Sequence, residues 1–267
     1  MLRGASAEAL AELSQRALAT RTLADAATLG DQLFGVAAIV RRDAALRRAL
    51  TDSSVEGESR SGLAKAVFGS AIEQPALDLV ADAAGRRWIA GSDLPDALER
   101  VAVAATVRSA GASGKQVGDE LFAVRQLIEQ SPGLRSSLSD SSRSAEDRSQ
   151  LLLGLLDGKT LPATAVLVGQ AVTRQRGSVE AALQEFLDQA AEALDAAVAT
   201  VRTARELSAD EQQRLATALA TQYGKDVQLH VVVDPELIGG LRVEIGDDVI
   251  DGTVVSRLDD ARRRLAG

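Results

Sequence analysis

Apolar residues recur at three- and four-residue spacing along most of the first 195 positions. Leu33, Val36, Ile39/Val40, Leu46 and Leu50 form one such stripe, and Leu121, Val124, Leu127/Ile128, Leu134 and Leu138 form another. This period puts them on one face of an α-helix. Both stripes break at Asp-Ser-Ser, residues 52–54 and 140–142, where short polar side chains favour turns and caps. Helices are predicted next near 58–68 and 146–156, then near 73–85 and 163–176. Gly57 and Gly69 bracket the first of these, while Gly158 and Pro162 close its counterpart. A long helix over 93–110 tolerates Pro95 in its first turn. After the break at Gly111-Ala-Ser-Gly114 come helices near 115–130 and 178–196, the last carrying Leu183, Phe186, Leu187 and Leu194.

Near residue 197 the period changes. Val198 to Thr203 reads as a strand. Ser208-Ala-Asp-Glu211 is a capping box, opening a helix with Leu215 and Leu219 on one face that ends near Tyr223-Gly224. Val227, Leu229, Val231 and Val233 then alternate along a half-buried strand stopped by Asp234-Pro235, with His230 expected on its half-exposed face. Leu241 to Ile245 alternates again, and Gly246-Asp247-Asp248 signals a hairpin into Val249–Gly252. A helix from about 253 closes the chain, with Val254, Leu258, Ala261 and Leu265 as its stripe and Arg262–Arg264 at its C-terminal end. The order is β-α-β-β-β-α.

The two helical stretches are related by an offset of 88 residues. Gly30-Asp-Gln-Leu-Phe-Gly-Val36 aligns with Gly118-Asp-Glu-Leu-Phe-Ala-Val124. Leu46, Arg47, Leu50, Asp52, Ser53, Ser54, Glu58, Arg60, Ser61 and Leu63 find the same residues 88 positions on, as does Arg86 in Arg174. Shared Leu/Ala composition does not reproduce Asp-Ser-Ser followed by Glu-x-Arg, so the pattern reads as a tandem duplication. The fold class is therefore α+β: two tandemly repeated all-α bundles, residues 1–107 and 108–197, then a small α/β module, residues 198–267. The helix over 93–110 is placed to close the first bundle and open the second.

Composition narrows the chemistry. With 267 residues, 46% apolar and 25% charged, the chain has the make-up of a folded protein. It has no Cys and a single His, which excludes thiolate metal sites, a Cys nucleophile and His clusters. A net charge of −8 with 2% aromatics offers neither the phosphate-neutralising surface nor the stacking platform that nucleic-acid binding uses. No run of 18 uncharged apolar residues occurs, so no membrane insertion is expected. The N-terminal residues lack the apolar core of a signal peptide, and a cytoplasmic location is expected.

No catalytic, metal or cofactor site emerges. Gly111-Ala-Ser-Gly114-Lys115 lacks the spacing of a phosphate loop, since Ser109 stands where the first Gly is required. Asp247, Asp248 and Asp251 lack the spacing of a calcium loop and read as hairpin solvation. Gly239-Gly240 suits a tight turn better than a ligand approach. Trp88, beside Arg86 and Arg87, is left open between bundle core and interface anchor.

The run Asp234-Pro-Glu-Leu237-Ile238-Gly239-Gly240-Leu-Arg242-Val-Glu-Ile-Gly246-Asp-Asp-Val-Ile250-Asp251-Gly252-Thr-Val-Val-Ser-Arg257-Leu258 resembles the C-terminal signature of the δ subunit of bacterial F-type ATP synthases. The mitochondrial counterpart is the oligomycin-sensitivity-conferring protein. Leu46, Leu50 and Gly85-Arg86-Arg87 resemble that family's helical domain, and the extra length resembles its long actinobacterial form. Two departures are visible: Ser6 stands where the family's N-terminal Tyr is usual, and Thr253 where Ser is common. The resemblance implies a non-catalytic stator of a proton-translocating machine, on the cytoplasmic face of the cell membrane. The helical part would receive an amphipathic N-terminal helix of the α subunit, and the C-terminal module would join the b subunit. Which bundle copy takes α stays open. The alternative is a helical scaffold whose C-terminal module senses a small ligand at Gly239-Gly240.

Overall fold

The computed structural model describes residues 2–18, 22–174, 177–246 and 248–253. These are mostly helical, with a four-stranded mixed sheet near the C-terminal end, an α+β fold. The chain divides into two units, residues 1–190 and 191–267.

The helices of the first unit are α1 (Ala5–Leu18), α2 (Leu23–Arg42), α3 (Ala44–Thr51), α4 (Gly57–Phe68), α5 (Gln74–Gly85) and α6 (Asp93–Ser109). They continue as α7 (Gly114–Gln130), α8 (Pro132–Ser139), α9 (Ala145–Leu156), α10 (Pro162–Thr173) and α11 (Val179–Ala193). The stripe from Leu33 to Leu50 is divided between α2 and α3 because the Asp43 carboxylate accepts the N–H groups of Ala45 and Leu46, both at 2.9 Å, and starts a new helix. In the second stripe Pro132 does the same work at the first position of α8. Of the paired candidates, Val40 and Ile128 are buried and Ile39 and Leu127 are exposed.

At the centre lies α6, which packs against α1, α2, α5, α7 and α10. Every residue from Val101 to Val107 is buried, two helical turns with no solvent-facing side. The helix α2 is long and apolar enough to cross a membrane by composition, but eight of its residues, from Ala26 to Val40, are buried within this unit. It is a core helix.

The bounds of α3, α4 and α5 return in α8, α9 and α10 with both ends displaced by 88 residues. Local bonds return with them. Asp52 Oδ1 accepts the Ser54 N–H at 2.9 Å and its hydroxyl at 2.7 Å, and Asp140 holds Ser142 at the same two distances. Gln32 Oε1 accepts the Glu73 N–H at 3.0 Å, and Glu120 Oε2 accepts the Leu161 N–H at 2.8 Å. The exchange of Gln for Glu keeps the one atom this bond needs, a side-chain oxygen. Arg47 and Arg135 each donate back to a carbonyl six residues earlier, at 2.7 and 2.6 Å.

The second unit holds β1 (Ala196–Thr203), α12 (Ala209–Tyr223), β2 (Asp226–Val233), β3 (Leu241–Ile245) and β4 (Asp248–Asp251). Strand order is β2-β1-β3-β4. The β1–β2 pair is parallel, with α12 as the crossover, while β1–β3 and β3–β4 are antiparallel. The capping box forms as read: Ser208 Oγ takes the Glu211 N–H, and Glu211 reaches back to the Ser208 N–H at 2.9 Å. Ala199, Val201, Leu219, Val243 and Ile245 make the core, with Leu215, Val227, Leu229 and Val231 packed against it. Two expectations need correction. β1 starts at Ala196, so α11 ends at Ala193, short of the predicted 196. His230 is 3% exposed, not half-exposed. It is buried locally: its neighbours on the same face, Val198, Thr200, Gln228 and Val232, are half-buried, although Arg202 and Arg242 farther along that face are exposed. The predicted closing helix, with Val254, Leu258, Ala261, Leu265 and Arg262–Arg264, lies outside the described residues, as does Arg176.

At Gly30, α2 lies close against α6. A Cβ there would sit 2.5 Å from Thr106 Oγ1 and 3.1 Å from the Ala102 carbonyl oxygen, the two atoms that already bond each other at 2.9 Å. Gly30→Val should therefore force the helices apart and destabilise the helical unit by about 1–3 kcal/mol, seen as a lower urea midpoint. An unchanged midpoint would show that α2 and α6 have slack at this crossing.

Candidate functional site

The residues with the strongest functional signal fall on the loop and hairpin after β2. The Asp234 Oδ1 accepts the Glu236 N–H at 3.0 Å and its carbonyl accepts the Leu237 N–H at 3.1 Å, so the chain turns directly after Val233. Leu237 is half-buried, but Ile238 projects with 80% of its surface exposed. Gly240 has φ +84°, and a Cβ on it would fall 2.4 Å from the Gly252 carbonyl oxygen and 2.8 Å from Thr253 Cα. The Gly252 N–H donates to the Leu241 carbonyl at 2.9 Å, closing the far end of the hairpin onto the loop. The missing side chain of Gly240 is thus used by the chain's own backbone, and the glycine pair forms the turn expected of it.

Arg242 pairs with Glu244 at 3.1 Å and stands in register with Asp251. Asp251 Oδ1 accepts the Thr253 N–H at 2.9 Å and its hydroxyl at 2.7 Å. Those Thr253 bonds, first backbone and then side chain, hold the Asp251 carboxyl below the usual range. Gly246 starts the β3–β4 loop. On β4, Val249 is 53% and Ile250 37% exposed, on opposite faces of the strand. Arg257 and Leu258, the remaining motif residues, and Asp247 lie outside the described residues.

A cleft of about 480 Å³ adjoins Gly239, Gly240 and Leu241 on one side and Arg205, Leu207, Glu211, Arg214 and Leu215 on the other. Its charges are largely spent locally. Arg205 grips Glu211 through two bonds, at 2.6 and 3.0 Å. That grip, with the Ser208 backbone and side-chain bonds, pulls the Glu211 carboxyl from 4.5 down to about 2. Among the described residues no group of three His, Asp or Glu side chains is arranged to hold a metal ion.

In the helical unit, Trp88 is half-buried and its indole N–H donates to the Ala83 carbonyl at 2.9 Å, with Ile89 beside it in sequence 65% exposed. The segment Gly111–Ser113 is a short 3₁₀ turn leading into α7, as expected of an interhelical break. A smaller cleft of about 250 Å³ is lined by Leu23, Ala27, Ala110, Leu161 and Pro162.

Sequence reasoning missed one cluster. Glu99 on α6 is buried, and Arg41 on α2 and Arg174 after α10 both pair with it, at 2.8 and 3.1 Å. Arg41 also holds Asp96 at 2.9 Å, and Arg174 holds Glu185. Burial works against the Arg174 charge, yet the Glu185 hydrogen bond and the charges of Glu99, Glu185 and Asp96 raise its pKa overall. The repeat comparison did flag Arg174 through Arg86, but the acid it meets is not at an equivalent position. Arg86 pairs with Glu12 on α1, whose counterpart under the offset is Arg100.

Comparison with known proteins gives a consistent result. A family model described as ATP synthase delta (OSCP) subunit matches residues 101–265. An ATP synthase subunit delta from Nocardioides sp. is 52% identical over 100% of this chain and 98% of its own. One from Streptomyces avermitilis is 43% identical over 98% of each. A chain of the Toxoplasma gondii mitochondrial ATP synthase hexamer aligns at 20% identity and TM-score 0.35, covering 62% of this chain and 95% of that one, a likeness too slight to bear on the fold.

Two measurements test the hairpin and cleft. Gly240→Ala should destabilise the second unit by about 2 kcal/mol or more, because strain at positive φ adds to the backbone clash, and protection of β3 amides from exchange should fall with it. The folded pKa of Glu211 lies below its unfolded value, so its stabilisation is complete above pH 4.5 and vanishes as pH falls through about 2. Glu211→Gln should accordingly lose less stability than wild type between those pH values. A carboxyl titration midpoint for Glu211 at 4 or above would contradict the Arg205 grip.

Proposed function

Because this chain belongs to the ATP synthase delta (OSCP) subunit family, we propose that it acts as the brace at the top of the peripheral stalk, tying the catalytic α/β hexamer to the membrane-anchored b subunit. The delta subunit is a non-catalytic structural subunit of the ATP synthase complex. The observation that carries the reading is 52% identity to a delta subunit along the whole chain. In this role the protein resists rotor torque at the cytoplasmic face of the membrane of a proton-translocating synthase.

The work is divided along the chain. The helical bundles receive the amphipathic N-terminal helix of the α subunit, a mode in which apolar positions three and four apart seat in a groove between helices. Trp88, with exposed Ile89 next to it, is a candidate anchor for such a contact. The module over 198–267 joins b through the motif residues Leu237, Ile238, Gly239, Gly240, Arg242, Gly246, Ile250, Asp251 and Gly252, together with Arg257 and Leu258. Exposed Ile238 on the loop and Val249 and Ile250 on the hairpin support this, since apolar side chains left in water are explained by a partner that covers them.

The helical region consists of two tandem copies, 1–107 and 108–197, with α6 shared between them. Support comes from the common displacement of helix bounds and from the paired bonds of Asp52 and Asp140 and of Gln32 and Glu120. The family match starts at residue 101, so the second copy and the module form the part common to the family, and the first copy is the addition.

Pull-down from detergent-solubilised membranes tests the division. Deleting residues 198–267 should abolish recovery of b while leaving recovery of α intact. If b still co-purifies with the shortened chain, the assignment of b to the module is wrong.

A further inference from the structure

Glu99 is the one carboxylate among the described residues that is buried. Its two oxygens are shared between guanidiniums from opposite halves of the helical unit: Oε2 accepts from Arg41 at 2.8 Å, and Oε1 faces Arg174 Nη2 at 3.1 Å. The side chains of Arg41, Glu99 and Arg174 are 21%, 7% and 13% exposed, so water screens these pairs only weakly. Each arginine also has another acid. Arg41 keeps Asp96, one turn earlier on α6, and Arg174 keeps Glu185 on α11. Glu99 is the acid they hold in common. Around it the contact continues in aromatic rings: the Arg174 guanidinium lies 5.8 Å from the centre of the Phe186 ring, and that ring meets Phe34 of α2 edge-on at 6.2 Å.

We propose that Glu99 is a clasp between the two helical halves, so that α2 and α10 open as one body and neither half moves or unfolds without the other. Removing the carboxylate leaves each arginine its other acid, and the halves stay folded. What disappears is the charge attraction that spans them, and two part-buried cations on facing elements then repel across the gap.

Hydrogen exchange of the full-length chain, under conditions where opening limits the rate, tests this. In wild type the core amides of α2 and of α10 should exchange in one opening event at a common rate. In Glu99→Ala the two sets should separate, with α10 and α11 opening at least about tenfold faster than α2 to α5. Glu99→Gln, which keeps an acceptor oxygen but not the charge, should separate them in the same sense. Two distinct opening rates in wild type would overturn the proposal whether or not either variant folds. So would variants in which α2 and α10 still open together.

Discussion

The helical unit depends on burying α6 on every side from Val101 to Val107. A helix with no solvent face cannot be amphipathic, and its sequence from Val101 to Val107 is Val-Ala-Val-Ala-Ala-Thr-Val. Small side chains let neighbouring helices approach closely, and the near-contact between Gly30 and Thr106 is one such place. The one Thr in this run bonds the Ala102 carbonyl of its own helix, so no polar atom is left to find a partner elsewhere. Because α6 packs against helices from both halves, a substitution on it is felt in both.

Much of this was legible in the sequence. Three-and-four periodicity located the helices, the shift to alternation located the sheet, and Ser208 with Glu211 fixed the start of α12 to the residue. The signal failed where one side chain overrides periodicity. Asp43 divides a continuous apolar stripe because its carboxylate caps a new helix, and nothing in the apolar pattern records that. It failed again at His230, where alternation identifies which residues share a face but not that one of them is buried among its neighbours while others on that face stay exposed.

The hairpin motif shows a different limit. Sequence marked Gly239, Gly240 and Gly252 as a group without saying why they belong together. The geometry supplies the reason: Gly240 at positive φ lets the backbone of Gly252 and Thr253 pass within contact distance, and Gly252 in turn bonds Leu241. Such a contact fixes the relative position of loop and hairpin, which is what holds Ile238 and Ile250 in a defined arrangement on the surface.

The charge cluster escaped notice because repeat arithmetic compares like with like. Arg86 and Arg174 occupy equivalent positions, and each ties the end of its helix to the helix that opens its own half, α1 for Arg86 and α6 for Arg174. The acids they meet, Glu12 and Glu99, are one residue out of register under the offset. On α1 the pairing is made near the surface, Glu12 being 64% exposed, where an ion pair contributes little. On α6 the same pairing is buried and an additional arginine, Arg41, has joined it. The position opposite Arg41 under the offset is Glu129, so the second half has no such arginine to offer. The turns at Asp52 and Asp140 stay alike while this charge contact differs.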